Sequence, residues 1–391
     1  MKRSGIAILL SLVLLFSLTS MAGAAIDGQQ GRDNPDPGRE RKIVIFNAAV
    51  GEADQDKIIN GAGGQKIKHL PLINATAVKL NPSAEKALKN QPGVLRIDPD
   101  IVVFAQVKPV APAPPKQDVP WGVDRIDADK VWADNKGSGV KVAVIDTGID
   151  LDHPDLAANI KGGVNTINPA RSADDDNGHG THVAGIIAGL NNTVGVVGVA
   201  PEASLYAVKV LSKSGSGLLS DVIEGLQWCV DNGIQVANMS LGTSTDVKSF
   251  HDAIAVASNH MVLVAAAGNS GPGDNTVEYP AKYEGVIAVS ATSSNDVITT
   301  WSSRGPQVEL AAPGAAIYST YKGGKYATLS GTSMASPHVA GTVALIISSG
   351  VTDIGAIRAE LQSTADNLGN SGWDYLYGYG LVDAEEAASG I

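Results

Sequence analysis

Residues 141–150 read K-V-A-V-I-D-T-G-I-D, and this stretch decides the fold. Val142 to Ile145 is apolar without alternation, as expected of a strand covered on both faces in a parallel sheet. The run ends on Asp146, a carboxylate at the tip of a buried element, which is costly unless it holds a partner. Outward from it, Ser204–Val210, Gln235–Met239, Val262–Ala266 and Val286–Val289 are further apolar strands. Helical windows at His179–Leu190, Leu219–Asn232, Ser249–His260 and Thr332–Ser349 alternate with them. The pattern predicts an α/β fold, a mostly parallel central sheet with helices on both faces and ligands at the carboxyl ends of the strands.

Toward the N-terminus the pattern changes. Lys42–Phe46 reads as a strand, Asp54–Gly61 as a helix, Ile67–Leu80 as one or two strands, Pro82–Asn90 as a helix and Val94–Phe104 as a last strand, together a small α+β unit. Val107 to Pro120 is proline-rich and reads as an exposed, extended linker. Residues 26–40 read as a loose leader. Before them, Lys2 and Arg3, an apolar run from Ile6 to Leu18 and Ala22-Gly23-Ala24 form the pattern of an export signal. The run is shorter than the about 20 residues a membrane span needs, and no later segment is long enough. The expected organisation is a signal peptide over 1–24, the small unit over 25–106, linker and new N-terminus over 107–120, and the main domain over 121–391.

Composition narrows the function. The 391 residues exceed the ~150 of a typical domain, consistent with one large and one small domain. The net charge is −11, so a nucleic-acid backbone would be repelled and no nucleic acid is expected as partner. Residues 26–106 carry 11 basic and 10 acidic side chains, whereas residues 107–391 carry 16 and 30, so a near-neutral unit precedes an acidic one. Cys229 is the one cysteine, which excludes an intramolecular disulfide and a cysteine-based zinc site. No G-x-G-x-x-G lies between a strand and a helix, which sets aside a nucleotide-binding enzyme.

Three motifs each place one reactive side chain at the end of an element: Asp146 in V-A-V-I-D-T-G, His179 in N-G-H-G-T-H-V-A-G and Ser333 in S-G-T-S-M-A-S-P-H-V-A-G. Singly, Asp146 and Ser333 read equally as caps and His179 as a surface residue. Together they are the three groups that nucleophilic acyl transfer requires.

In these motifs, and in their order along the chain, the sequence resembles the subtilases, serine proteases made with an inhibitory propeptide; the likeness runs from about Gln117 to Ala384. The resemblance implies a secreted serine endopeptidase, in which Ser333 is the nucleophile, His179 the general base and Asp146 the residue that orients the imidazole. His182 and His338 are implied to be structural. Asn269, in A-A-A-G-N-S-G, matches the family's oxyanion asparagine. Gly215, Ser216 and Gly217 resemble one wall of the peptide-binding groove, and Ser240, Leu241 and Gly242 the other. Gln117, Asp155, Leu190, Asn192, Val194 and Val196 match a structural calcium site, a substitute staple for a chain without disulfides. Asp174, Asp175 and Asp176 read as a solvated acidic loop rather than a second cation site.

Residues 26–106 resemble the family's propeptide, an intramolecular inhibitor whose last strand feeds the cleft, with self-cleavage near Gln106. Glu278, preceding the Tyr279-Pro280 pair, falls where the resembling enzymes line the bottom of the primary pocket, often with Gly. It would attract Lys or Arg there, or point to solvent, because the preceding loop is about two residues shorter. Protein or peptide substrates and a monomer are expected. A binding protein on the same scaffold that has lost catalysis is the alternative, against which the presence of all four catalytic side chains argues.

Overall fold

A computed structural model describes residues 38–106, 108–109 and 117–389. The expected export signal and most of the leader lie outside these residues. The central sheet has seven strands in the order Val308–Pro313, Val286–Thr292, Val262–Ala266, Val236–Met239, Lys141–Asp146, Ser204–Lys209 and Ile160–Asn165. Every pairing is parallel. Side chains alternate across each strand, so neighbouring residues enter different cores. Val142 and Val144 pack with the helices His179–Ala188 and Thr332–Ser348. Ala143 and Ile145 pack with Leu219–Asp231 and Lys248–Ala257 on the opposite face. A fully buried Val or Ile contributes about 1.5–3 kcal/mol, which accounts for the unbroken apolar run before Asp146. Lys141–Asp146, Val236–Met239 and Val262–Ala266 are neighbours, so Asp146, Ser240 and Asn269 follow adjacent carboxyl ends.

The N-terminal unit is a four-stranded antiparallel sheet in the order Gln65–Leu70, Ala75–Leu80, Glu40–Phe46, Val94–Pro99. Alternation again divides its residues. Val44 and Phe46 join Ile59 and Leu88 of the helices Glu52–Gly61 and Pro82–Lys89. Ile43 and Ile45 instead join the core that contains Leu219–Asp231 and Lys248–Ala257. Charged pairs rim this contact: Lys68 Nζ lies 2.8 Å from Asp221 and also meets Glu224, and Arg96 meets Asp252.

The expected single strand Val94–Phe104 is two, Val94–Pro99 and Val102–Ala105, in different sheets. Asp100 forms the break. Its Oδ1 accepts the Ser220 amide N–H and its Oδ2 the Ser220 hydroxyl, both at 2.9 Å, at the start of Leu219–Asp231. A carboxylate is favoured at a helix N-terminus. The chain thereby turns out of one sheet and toward the carboxyl ends of the other. In the expected linker, Lys108–Pro109 pairs with Ser330 and Leu329, while residues 107 and 110–116 lie outside the described set.

Candidate active site

Asp146 ends its strand fully buried, and its Oδ1 accepts hydrogen bonds from the Thr147 amide and His179 Nδ1, both at 2.7 Å. A carboxylate on Nδ1 fixes the proton there, leaving the Nε2 lone pair as a base. His179 Nε2 has no hydrogen-bond partner among the described residues. The His179–Ala188 helix is locked to the Asp146 strand by Asp175. Its carboxylate accepts from Thr147 Oγ1 at 2.9 Å, Thr181 Oγ1 at 2.6 Å and the amides of Asn177 and Gly178 at 2.9 Å. Asp174 and Asp176 are exposed, but Asp175 is buried, and burial pushes its carboxyl above the usual range. The solvated acidic loop expected at 174–176 is therefore corrected at its middle residue, whose buried oxygens find donors on both elements.

Ser333 is the second residue of the Thr332–Ser348 helix. Its hydroxyl donates to the Ser240 carbonyl at 3.1 Å and must rotate to reach an imidazole acceptor. Pro337 in the same helix has no N–H to give the carbonyl four residues back. That carbonyl belongs to Ser333, and Ser240 Oγ supplies the missing donor at 2.9 Å. Asn269 Oδ1 accepts from the Thr332 amide at 3.0 Å and Thr332 Oγ1 at 3.1 Å, so its NH₂ end is turned away from Thr332. A Cβ at Gly331 would lie 2.5 Å from the Gln106 carbonyl oxygen and 3.5 Å from Asn269 Nδ2. A side chain there would displace the Gln106 carbonyl from beside the helix that carries Ser333.

The chain itself fills the cleft. Val102–Ala105 runs antiparallel between Ser216–Leu218 and Leu241–Gly242, pairing Phe104 with Ser216 and Gly242, and Val103 with Gly217. The Ala105 amide donates to the Gly215 carbonyl at 2.9 Å and the Gln106 amide to the Ser240 carbonyl at 3.3 Å. Gln106 Nε2 donates to Glu278 Oε2 at 2.7 Å, and Ser270 Oγ donates to Oε1 at 2.7 Å. Glu278 is thus half-buried against the cleft strand rather than turned to solvent, and burial raises its carboxyl pKa.

The six residues matched to a calcium site come together away from the cleft. Asp155 is fully buried; its carboxylate accepts from Asn192 Nδ2 at 2.7 Å and the Val196 amide at 2.9 Å. Gln117 Nε2 donates to the Leu190 carbonyl at 2.8 Å, and the Val194 amide to Asn192 Oδ1 at 2.6 Å. No Lys or Arg pairs with Asp155 among the described residues, and burial pushes its carboxyl pKa up. A second cluster, Glu52, Asp56 and His69, lies on the N-terminal unit and is bridged by Lys66.

His182 and His338 are core residues. His182 Nε2 faces the carbonyls of Ile317 and Ala327 at 3.1 and 3.0 Å, and burial lowers its pKa to about 3. His338 Nδ1 faces the Met334 carbonyl at 2.8 Å, with a pKa lowered to about 4. Sequence reasoning overlooked Asp175, Thr332 and Ser270. The signal available for Thr332 was its hydroxyl directly before the candidate nucleophile.

A family model described as the Subtilase family matches residues 137–380. Subtilisin E of Bacillus subtilis (strain 168) is 41% identical over 385 residues, covering 96% of this chain and 97% of its own. Subtilisin DY of Bacillus licheniformis is 50% identical over 277 residues, 70% of this chain and 99% of its own. M-protease of Shouchella clausii (strain KSM-K16) is 47% identical over 320 residues, 81% of this chain and 79% of its own. The protein is a serine endopeptidase, and the chain belongs to the subtilase family.

Proposed function

We propose that the chain is the precursor of a secreted endopeptidase that cuts itself at Gln106–Val107 and then hydrolyses other proteins through Ser333, His179 and Asp146. The observation that carries this reading is the path of the chain. It lies strand-paired in the cleft to Ala105, the Gln106 amide donates to the Ser240 carbonyl, and pairing resumes at Lys108–Pro109, which supports a cut directly after Gln106. Backbone pairing to Gly215, Ser216, Gly217, Ser240, Leu241 and Gly242 holds a peptide with little dependence on its sequence.

In this reading Ser333 Oγ rotates from the Ser240 carbonyl to His179 Nε2 and attacks the carbonyl carbon of Gln106. His179 takes the hydroxyl proton, and the buried Asp146 carboxylate stabilises the resulting imidazolium. Asn269 Nδ2 and the Ser333 backbone N–H donate to the developing oxyanion, and fixing Asn269 Oδ1 on Thr332 orients the donor in advance. His179 then protonates the departing Val107 amine. A water deprotonated by the same imidazole releases Ser333 from the acyl group. The cleaved N-terminal unit stays as an inhibitor, held by its apolar face and by Lys68 and Arg96 on the acidic domain. Export is supported by the pattern of residues 1–24, and no helix among the described residues is long and apolar enough to cross a membrane. The test is the mass of both products: a fragment ending at Gln106, a mature chain beginning at Val107, and digestion of denatured casein by the latter. A first cut at any bond other than Gln106–Val107 would contradict the self-cleavage register.

We also propose that Gln117, Asp155, Leu190, Asn192, Val194 and Val196 hold a structural calcium ion. A fully buried carboxylate without a cationic partner calls for one. The set offers a carboxylate, two amides and three carbonyls, the hard oxygen donors calcium prefers, once the Gln117 and Asn192 amides turn their oxygens inward. The ion would tie the N-terminal segment of the mature chain to the 190–196 loop. A ligand that binds only the folded state adds about 2.7 kcal/mol at 100 times its Kd. Calcium should therefore raise the melting temperature of self-digestion-proof Ser333→Ala protein by several degrees, and Asp155→Asn should abolish the increase. Identical melting curves in calcium and in chelator would remove the site.

A further inference from the structure

Resting on the endopeptidase reading, we propose that Glu278 directs this enzyme to bonds that follow a lysine or arginine, with lysine preferred, and that Gln106 occupies the same pocket as a neutral stand-in. Gln106 precedes the scissile bond, and the pairing of Phe104 with Ser216 and Gly242 fixes its register. From that position its side chain delivers a hydrogen-bond donor to Glu278 Oε2 at 2.7 Å. The occupant of the pocket thus identifies both the residue being read and the atom that reads it.

The pocket is shaped to leave that carboxylate accessible. A Cβ at Gly242 would lie 2.9 Å from Glu278 Oε2 and 3.1 Å from Gln106 Nε2. One at Gly268, where φ is +110°, would lie 2.9 Å from Glu278 Cδ and 2.9 Å from Ser303 Oγ. Any side chain at these two positions would enter the space of the carboxylate. Gly242, Gly268, Ser270 and Gln106, none of them charged, stand against the Glu278 side chain, while the cation of Lys282, four residues on, lies over the Tyr279 ring. Glu278 makes no ion pair among the described residues. A half-buried carboxylate facing only neutral donors is left short of a cation. An ammonium or guanidinium donor, charged opposite the carboxylate, makes a stronger bond than the neutral Gln106 amide supplies.

Length distinguishes the two cations. A lysine ammonium lies one atom farther along the side chain than the glutamine nitrogen and can settle between Oε2 and the Ser270 hydroxyl. Arginine is longer, and one prong of its two-pronged contact would have to share Oε1 with the Ser270 hydroxyl.

The experiment uses the mature wild-type enzyme and a series of tetrapeptide p-nitroanilides differing only in the residue before the cut: Lys, Arg, Gln, Leu and Phe. The expected kcat/KM for Lys exceeds that for Gln and Leu by about 10- to 100-fold, with Arg between. In Glu278→Gln the Lys-to-Leu ratio should collapse by a similar factor. Because burial raises the carboxyl pKa, the wild-type ratio should also fall on acidification at a higher pH than an ordinary glutamate would set. Cleavage after Leu or Phe with no preference for Lys or Arg would overturn the proposal while leaving the endopeptidase intact. A preference that survives in Glu278→Gln would overturn it as well. Failure of the wild-type enzyme to cleave any of the series would contradict the endopeptidase reading itself, and this proposal with it.

Discussion

Replacing Ser333 with alanine is expected to lower kcat on a peptide substrate by about 10⁶-fold, a magnitude taken from subtilisin itself rather than calculated from this geometry. The size follows from the roles of the groups. Without Oγ, His179 Nε2 has no hydroxyl to deprotonate and the oxyanion donors have no tetrahedral adduct to stabilise. Only the binding groove and Asn269 remain, and nucleophile and base act as a unit, so little is left to lose from a second substitution. The structural cost should be small, since the hydroxyl makes one donated bond, to the Ser240 carbonyl. Because the same serine is proposed to cut Gln106–Val107, the variant should also stay full length when expressed without other proteases. Steady-state kinetics and intact mass measure both effects on one sample. Turnover within tenfold of wild type would contradict the assignment.

Asp146→Asn should be the second largest loss, about 10⁴-fold in kcat at neutral pH. Asp146 Oδ1 accepts from the Thr147 amide and from His179 Nδ1, both at 2.7 Å. An asparagine can put only one of its two ends at the Oδ1 position: its oxygen there keeps both bonds but lacks the charge that stabilises the imidazolium, whereas its NH₂ there obliges His179 Nδ1 to accept, which moves the ring proton to Nε2 and leaves no lone pair facing the serine. In either arrangement His179 is a poorer base. The amide is isosteric with the carboxylate it replaces, so a near-native melting temperature with a 10⁴-fold lower kcat separates the tautomer effect from unfolding. A loss of less than tenfold would mean that Asp146 does not set the tautomer.

Much of the architecture was legible because its strands are buried on both faces. V-A-V-I and V-L-V-A-A carry no polar residue and admit one location. The edge strand Ile160–Asn165 was not legible, since I-K-G-G-V-N lacks both the apolar run and the alternation. The break at Asp100 was hidden for a different reason. Local pattern favours one strand from Val94 to Phe104, and the turn exists only because Ser220, 120 residues later, offers its amide and hydroxyl. Asp146 and His179 could be singled out from sequence because each stands where an apolar element begins or ends. Asp175 could not, as three consecutive aspartates look alike until one is buried against Thr147 and Thr181. Lys108–Pro109 read as linker because proline lacks an amide donor, yet an extended prolyl segment can still pair through its carbonyls.

The central claim is that Ser333 is a nucleophile activated by His179. The measurement that tests it most directly is reaction of the mature wild-type enzyme with a serine-directed phosphonyl fluoride, followed by peptide mapping by mass spectrometry. The account predicts one phosphonyl group per molecule, on Ser333, appearing in step with loss of activity and absent from Ser333→Ala. Full activity with no adduct, or inactivation with the adduct on another residue, would contradict it.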